Sequence, residues 1–395
     1  MRPVDISKTF KEHLLPGKPL LWKAGRVALF HDSDEALEAM LDAIKQAEKE
    51  IILEMYWIAS DQTGWGFAEA LMDKARKGLR VCVLFDAIGS WDSDGVFFDA
   101  LEQAGCELEQ YNPIAPWRKR FRLDKVNLRD HRKILVVDRK VAFTGGANLA
   151  DFWRAEEHGG EGWRDDMVRI EGPAVLDLLA VSAHTWNRLS DKNIEVDEKT
   201  LSPVVPKGAT NPLESRIMVL ANFFKASTFG IRRAYLKEIQ AAQSSILIAN
   251  AYFVPGRKVS RALAKAAKRG VDVRILVPET SDVVAVYYAS RRMFAWLMKR
   301  GVHIYTWPHS VLHSKSAVID SRWTTVGTHN LDNRSIRMNL EVNVAIDDER
   351  IGQAMHKKIL EDMASALEVS RRDWMFRPLG VRVAERVFYA FRWLL

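Results

Sequence analysis

Apolar residues along this chain follow two periods in turn, and the whole succession occurs twice. From Asp32 they recur at Leu37, Met40, Leu41 and Ile44, the spacing of a helix with Asp32 or Ser33 as its cap. The run Glu50–Ile58 is apolar and β-branched and predicts a strand. A helix over about 66–77 ends at Gly78, the strand Arg80–Phe85 follows, and a helix over Val96–Ala104 ends at Gly105. The second half repeats the order with a helix over Ala234–Ala242, a strand over Ser245–Phe253, a helix over Val259–Arg269 before Gly270, and a strand over Val271–Val277. Residues 1–30 show no clear period.

The two halves also match as text. AEKEIILEMYWI aligns with AQSSILIANAYF, and ARKGLRVCVLF with AKRGVDVRILV. This is a duplication of whole domains, not a short solenoid repeat. Strands alternating with helices predict an α/β fold of two similar domains, each a mainly parallel or mixed sheet with helices on both faces. The segment Asp191–Ser215, with its prolines and weak periodicity, is the expected joint. We therefore expect domains over 1–200 and 201–370 and a basic, aromatic tail over 371–395.

One stretch stands at matching places in both halves. His131-Arg-Lys-Ile-Leu-Val-Val-Asp138 is followed by Thr144-Gly-Gly-Ala-Asn148, and His313-Ser-Lys-Ser-Ala-Val-Ile-Asp320 by Val326-Gly-Thr-His-Asn330. Both copies read His, any residue, Lys, four residues, Asp. In an extended segment residues two apart share a side, so His131 faces the same way as Lys133, and His313 the same way as Lys315. A glycine turn admits close backbone approach, and Asn148 or Asn330 adds an amide donor. Imidazole, ammonium and amide converging on one point suit a phosphate. Two such sets across the domain interface would put one histidine in line to attack phosphorus and the other to protonate the leaving oxygen. Neither step calls for a metal or cofactor, and the set lacks the clustered carboxylates of a two-metal site. Each histidine needs a partner on its far nitrogen. Asp165 and Glu341 lie at matching downstream places, each expected to orient the histidine of its own half, with Asp166 competing in the first.

Composition narrows the class. The chain has 395 residues, 48% hydrophobic and 28% charged, with a net charge of +7, which suits a phosphate-bearing partner, nucleic acid or an anionic membrane surface. Two cysteines, Cys82 and Cys106, make neither a metal cluster nor a disulfide framework. The N-terminus shows no long apolar core, and no run elsewhere reaches spanning length.

The motif pair, together with AFTGGANL, WRDDMVRIEGPAV and GTHNLDNRS, resembles the phospholipase D superfamily from about Val27 to Ala366, and within it the shorter bacterial cardiolipin synthases. The resemblance implies phosphatidyl transfer between phospholipids, such as phosphatidylglycerol, through a covalent phosphatidyl-histidine. It implies pseudo-two-fold halves with the active site between them, and a structural role for Asp138 and Asp320, which complete the motif alongside the catalytic His and Lys. It also implies that His131 attacks while His313 serves as acid and base. The chain lacks the N-terminal membrane helices of the longer synthases, so attachment is expected from its surface, peripherally and on the cytoplasmic side, with a monomer sufficient for one site.

Two basic, aromatic segments are candidates for that attachment. Trp117–Arg122 is as readily a solvated loop. Trp374–Leu395 carries Arg377, Arg382, Arg386 and Arg392 among Trp374, Phe376, Val387, Phe388, Phe391 and Trp393, and from Val381 it can form an amphipathic helix, either interfacial or docked on the protein. The tail favours a lipid enzyme over a nuclease, so no nucleic acid is expected. A hydrolytic phospholipase D shares all the machinery, and a non-enzymatic scaffold would not need both motif copies complete.

Overall fold

The computed structural model describes residues 22–115, 120–196, 214–223, 230–281 and 283–393; Trp117–Lys119 and most of the expected joint lie outside them. The first half runs β1 (Lys23–Phe30), α1 (Ser33–Lys45), β2 (Glu50–Met55), α2 (Gln62–Arg76), β3 (Arg80–Asp86), α3 (Gly95–Gln103), β4 (Glu107–Tyr111), β5 (Arg129–Asp130), β6 (Lys133–Val137), β7 (Val141–Gly145), β8 (Met167–Glu171) and α4 (Ala174–Trp186). The second runs β9 (Ser215–Asn222), α5 (Gly230–Ala241), β10 (Ser245–Asn250), α6 (Arg257–Lys268), β11 (Asp272–Pro278), α7 (Val284–Met298), β12 (Val302–Trp307), β13 (Lys315–Ile319), β14 (Trp323–Gly327), α8 (Asn333–Arg337), β15 (Asn339–Asp347) and α9 (Glu349–Ala364). A short β16 (Leu367–Glu368) precedes α10 (Arg371–Met375) and α11 (Leu379–Ala390). Asp32 is the cap of α1, its carboxylate accepting the Asp34 N–H at 2.8 Å. Gly78, Gly105 and Gly270, at φ 88°, 98° and 94°, take the left-handed position just past helix ends.

Among the described residues the halves share one sheet of 16 strands. Read outward from its middle, β1-β8-β7-β6-β2-β3-β4 in one direction mirrors β9-β15-β14-β13-β10-β11-β12 in the other, and β1 pairs antiparallel with β9 at the join. Of the two arrangements expected, mainly parallel or mixed, the sheet is the mixed one. Only β2-β3-β4 and β10-β11-β12 are parallel within each half; β6, β7, β8 and their counterparts are antiparallel. Connection length decides this for β6 and β7, since a parallel return needs a dozen or more residues and only Asp138, Arg139 and Lys140 join them. Asp138 and Arg139 (φ 52° and 57°) and their equivalents Asp320 and Ser321 (53° and 51°) make that turn left-handed, which matches strand twist.

Helices cover both faces, as expected. Side chains alternate along the strands, so Ile52, Ile134 and Val136 face a core shared by the two halves, filled by Val175, Leu178 and Leu179 of α4 and Met355 and Ile359 of α9. Ile51, Leu53 and Leu135 face a separate core under α1, α2 and α3, and Ile246, Ile248 and Ile275 one under α5, α6 and α7.

The tail resolves the choice between docking and exposure by doing both. Phe388 of α11 stacks on Tyr288 of α7 at 5.5 Å, and Arg377 clasps the buried Glu385. The opposite side leaves Leu379, Val383, Val387 and Phe391 exposed, four residues apart in one stripe. Among the described residues no helix is long and apolar enough to cross a membrane.

Candidate active site

Each motif histidine sits just before its strand, where its backbone is bonded to the other half. The His131 N–H donates to the Leu340 carbonyl at 3.0 Å, after Arg129 N–H has donated to Met338 at 3.1 Å. In the mirrored place His313 N–H donates to the Arg164 carbonyl at 2.8 Å, and Arg164 N–H to Val311 at 3.0 Å. The residue after each accepting carbonyl is a carboxylate, Glu341 or Asp165. Backbone pairing across the interface thus delivers the acid of one half to the histidine of the other.

The side chains follow. His131 Nδ1 lies 3.1 Å from Glu341 Oε2, and His313 Nδ1 lies 2.7 Å from Asp165 Oδ2. This corrects the expectation that each acid orients the histidine of its own half: the pairs are crossed. Asp166 contacts neither histidine of the pair. Alternation turns it to the other side of the strand, where it accepts from Arg164 at 2.7 Å and lies 2.6 Å from His31 Nδ1. Arg164 also reaches Asp362 at 2.7 Å and Ser314 Oγ at 3.1 Å, tying the interface beneath the pair.

An ionised carboxylate only accepts, so each Nδ1 carries a proton, and Nε2 is the nitrogen each ring has left for proton exchange or attack. Lys315 Nζ stands 2.8 Å from His313 Nδ1, but that nitrogen has its proton on Asp165, so the ammonium's acceptor in the motif is the His313 carbonyl. Lys133 Nζ likewise donates to the His131 carbonyl, at 2.9 Å. Burial, then the charges of Lys133, Lys315 and His313, hold the His131 imidazole well below its ordinary pKa, so it is neutral at neutral pH. Burial and the neighbouring Lys315 push Lys133 down to about 7. Two lysines and two histidines gathered together, with Asp165 and Glu341 behind the histidine rings, suit the charge of a phosphodiester. Burial raises the Glu341 carboxyl, while Thr328 and Asn339 donate to it and offset part of that cost.

The glycine turns differ for a steric reason. A Cβ on Gly146 would meet Asp165 Oδ1 at 2.1 Å, so only glycine lets that short carboxylate in. In the second copy Thr328 replaces it and its hydroxyl donates to the longer Glu341. Asn148 is buried and accepts the Trp57 N–H at 3.2 Å. Asn330 is buried too, and its Oδ1 has no partner among the described residues.

Asp138 and Asp320, named with the catalytic residues from the motif, stand apart from the pair. They end β6 and β13, whose five residues span about 16 Å. Asp138 accepts the N–H groups of Glu48, Lys49 and Glu50 at 2.9, 2.8 and 3.0 Å, and Asp320 those of Gln243, Ser244 and Ser245 at 2.9, 2.8 and 3.0 Å. Burial works against ionisation, yet these donors hold both carboxyls below the ordinary value. They pin the turn to the start of β2 or β10.

Sequence reasoning did not single out the rings that wall the site. Tyr56 meets His131 edge-on at 4.9 Å, and Trp153 and Trp163 flank His313 at 5.2 and 5.6 Å. Trp153 Nε1 also donates to Asp165 at 3.1 Å. Asp332 is buried as the cap of α8, its carboxyl pushed up to about 7 by burial. His329 is buried as well, held down to about 4. Among the described residues no group of three or more His, Cys, Asp or Glu side chains is placed to hold a metal ion.

A duplicated mixed sheet with paired His-Lys sets at its centre defines a phospholipase D-type protein. The family model described as "Cardiolipin synthase, PLD-like domain" matches residues 40–158 and 235–363, once in each half, and the chain belongs to that family. It is 32% identical over 364 residues to a cardiolipin synthase of Geobacillus kaustophilus (strain HTA426), covering 92% of this chain and 71% of that one. Cardiolipin synthase B of Salmonella typhi is 32% identical over 347 residues, 86% of this chain and 80% of its own. In fold, the crystal structure of a phosphatidylserine synthase from Haemophilus influenzae Rd KW20 aligns with TM-score 0.74 at 15% identity, over 99% of this chain and 100% of that one.

Proposed function

We propose that the two histidines divide a phosphatidyl transfer between them, in a chain whose family and relatives make it a phosphatidyltransferase of the cardiolipin synthase type. The observation that carries the scheme is the crossed pairing, which gives both imidazoles a fixed tautomer. His131 Nε2 attacks the phosphorus of one phosphatidylglycerol, and the phosphorus–oxygen bond to the headgroup glycerol breaks. His313 enters this step as the imidazolium, and the leaving oxygen takes its Nε2 proton, leaving His313 neutral. A hydroxyl of a second phosphatidylglycerol then returns a proton to His313 and attacks the phosphatidyl-His131, releasing cardiolipin and freeing the imidazole. Lys133 and Lys315 bear on the non-bridging oxygens, with Asn148 and Asn330 beside them. His131 is assigned the attack because its imidazole is held neutral and borders the lysine pair. Asp138 and Asp320 hold the fold and take no part in the steps.

Purified protein given phosphatidylglycerol vesicles in excess chelator is expected to yield cardiolipin and glycerol. Phosphatidic acid as the main product would make the chain a hydrolase, and a strict metal requirement would remove the two-histidine scheme.

We also propose peripheral attachment to an anionic bilayer, which the tail supports, on the cytoplasmic side and by a monomer whose single site both halves complete. The exposed row Leu379, Val383, Val387 and Phe391, with Arg382 and Arg386 exposed on the same helix, suits the headgroup boundary. Replacing Leu379, Val383 and Val387 together by serine is expected to weaken binding to phosphatidylglycerol vesicles by at least about tenfold. Unchanged co-sedimentation would remove the tail from the account.

A further inference from the structure

Where α6 begins, α8 ends and the C-terminal turn closes over them, there is a cavity of about 400 Å³. Arg232, Arg257, Lys258, Arg337 and Arg392 line it, and among the described residues no Asp or Glu does. Arg257, Lys258, Arg337 and Arg392 make no ion pair among the described residues, although ion pairs are common elsewhere on this surface. Burial, then the charges of Arg337 and Arg233, push the Arg232 guanidinium below its ordinary pKa. Cations gathered in a concavity repel one another, and a bound anion would relieve them through charge-assisted hydrogen bonds.

The cavity is separate from the histidine pair. On α8, Asn333 and Arg337 lie four residues apart on the side that lines it. Arg334, between them, points elsewhere: it donates to Asn127 at 2.7 Å, and its charge is felt by His131. Asn333 also donates to the Arg392 carbonyl at 3.0 Å, which fixes the C-terminal turn as one wall. Ala390 of α11 and Trp393, itself 56% exposed, both line the cavity, so it opens at the end of α11 where the apolar stripe finishes. A phosphate held here would have acyl chains beside exposed apolar side chains.

We propose that this cavity is a second phosphate site, outside the catalytic pair, which takes the phosphodiester headgroup of an anionic phospholipid and seats the C-terminal helix on the bilayer. The inference rests on the lipid reading of the tail, not on the catalytic scheme.

The test uses the full chain carrying His131→Ala, so that lipid is not consumed, titrated calorimetrically with short-chain phosphatidylglycerol below its micelle concentration. Monomeric lipid removes the general attraction of a charged bilayer. Adding Arg257→Gln with Arg337→Gln is expected to remove one binding site from the stoichiometry. Adding Arg382→Gln with Arg386→Gln, the same charge change on the exposed helix, is expected to remove none. An equal number of sites in all three proteins, or an equal loss in both double variants, overturns the proposal. Glycerophosphoglycerol, the same phosphodiester without acyl chains, is expected to fill the cavity at least about tenfold more weakly. Equal affinity would make it a site for free phosphate esters and overturn the lipid assignment. Cardiolipin formation by the unaltered chain is measured alongside. Its absence with the extra site intact defeats only the catalytic reading, and its presence without the site defeats only this one.

Discussion

Alanine at His131 or at His313 is expected to lower transfer from phosphatidylglycerol by roughly three to four orders of magnitude, with thermal unfolding little changed. The two losses differ in kind, and the leaving group separates them. Glycerol leaves as a strong base and needs a proton from His313, whereas p-nitrophenolate leaves unaided. With a p-nitrophenyl phosphatidyl ester, His313→Ala should still release p-nitrophenol in a burst of one equivalent and accumulate a phosphatidyl-enzyme. His131→Ala should give no burst, having no atom to accept the phosphatidyl group. A burst from His131→Ala and none from His313→Ala would exchange the two roles. A burst or near-full turnover from both would end the two-histidine scheme.

Local signals carried much of this fold. The cap at Asp32, the glycines past helix ends and the doubled His-Lys-Asp spacing all act within a few residues, so they are legible in order along the chain. Other features depend on distant partners. Helix α4, AVLDLLAVSAHTW, is buried on nearly all sides between the halves, which erases the one-sided periodicity that marks a surface helix. The antiparallel run β6-β7-β8 was masked by the flanking βα units, which on their own do pair in parallel. Asp165 and Glu341 were legible as acids at equivalent positions, but their partners were not. Alignment of two halves shows which residues correspond and says nothing about which half a side chain reaches into. That is decided by the bonds from His131 to Leu340 and from His313 to Arg164, formed between residues far apart in sequence.

Crossed pairing makes the second large effect specific. Asp165→Asn should behave as damage to His313, and Glu341→Gln as damage to His131, each costing about two to four orders of magnitude in transfer from phosphatidylglycerol. The cost arises from the tautomer. An amide can turn its NH2 toward Nδ1 and place the imidazole proton on Nε2, where it blocks attack by His131 and removes the fixed Nδ1–H···carboxylate support from His313. The activated ester again reads out which histidine is affected. Asp165→Asn should keep a burst close to that of the unaltered protein, because an aryl leaving group does not need His313. Glu341→Gln should lose the burst, because formation of the phosphatidyl-enzyme depends on the lone pair of His131. Pairing within each half predicts the reverse, with Asp165→Asn abolishing the burst and Glu341→Gln preserving it, so one pair of isosteric substitutions distinguishes the two arrangements in solution.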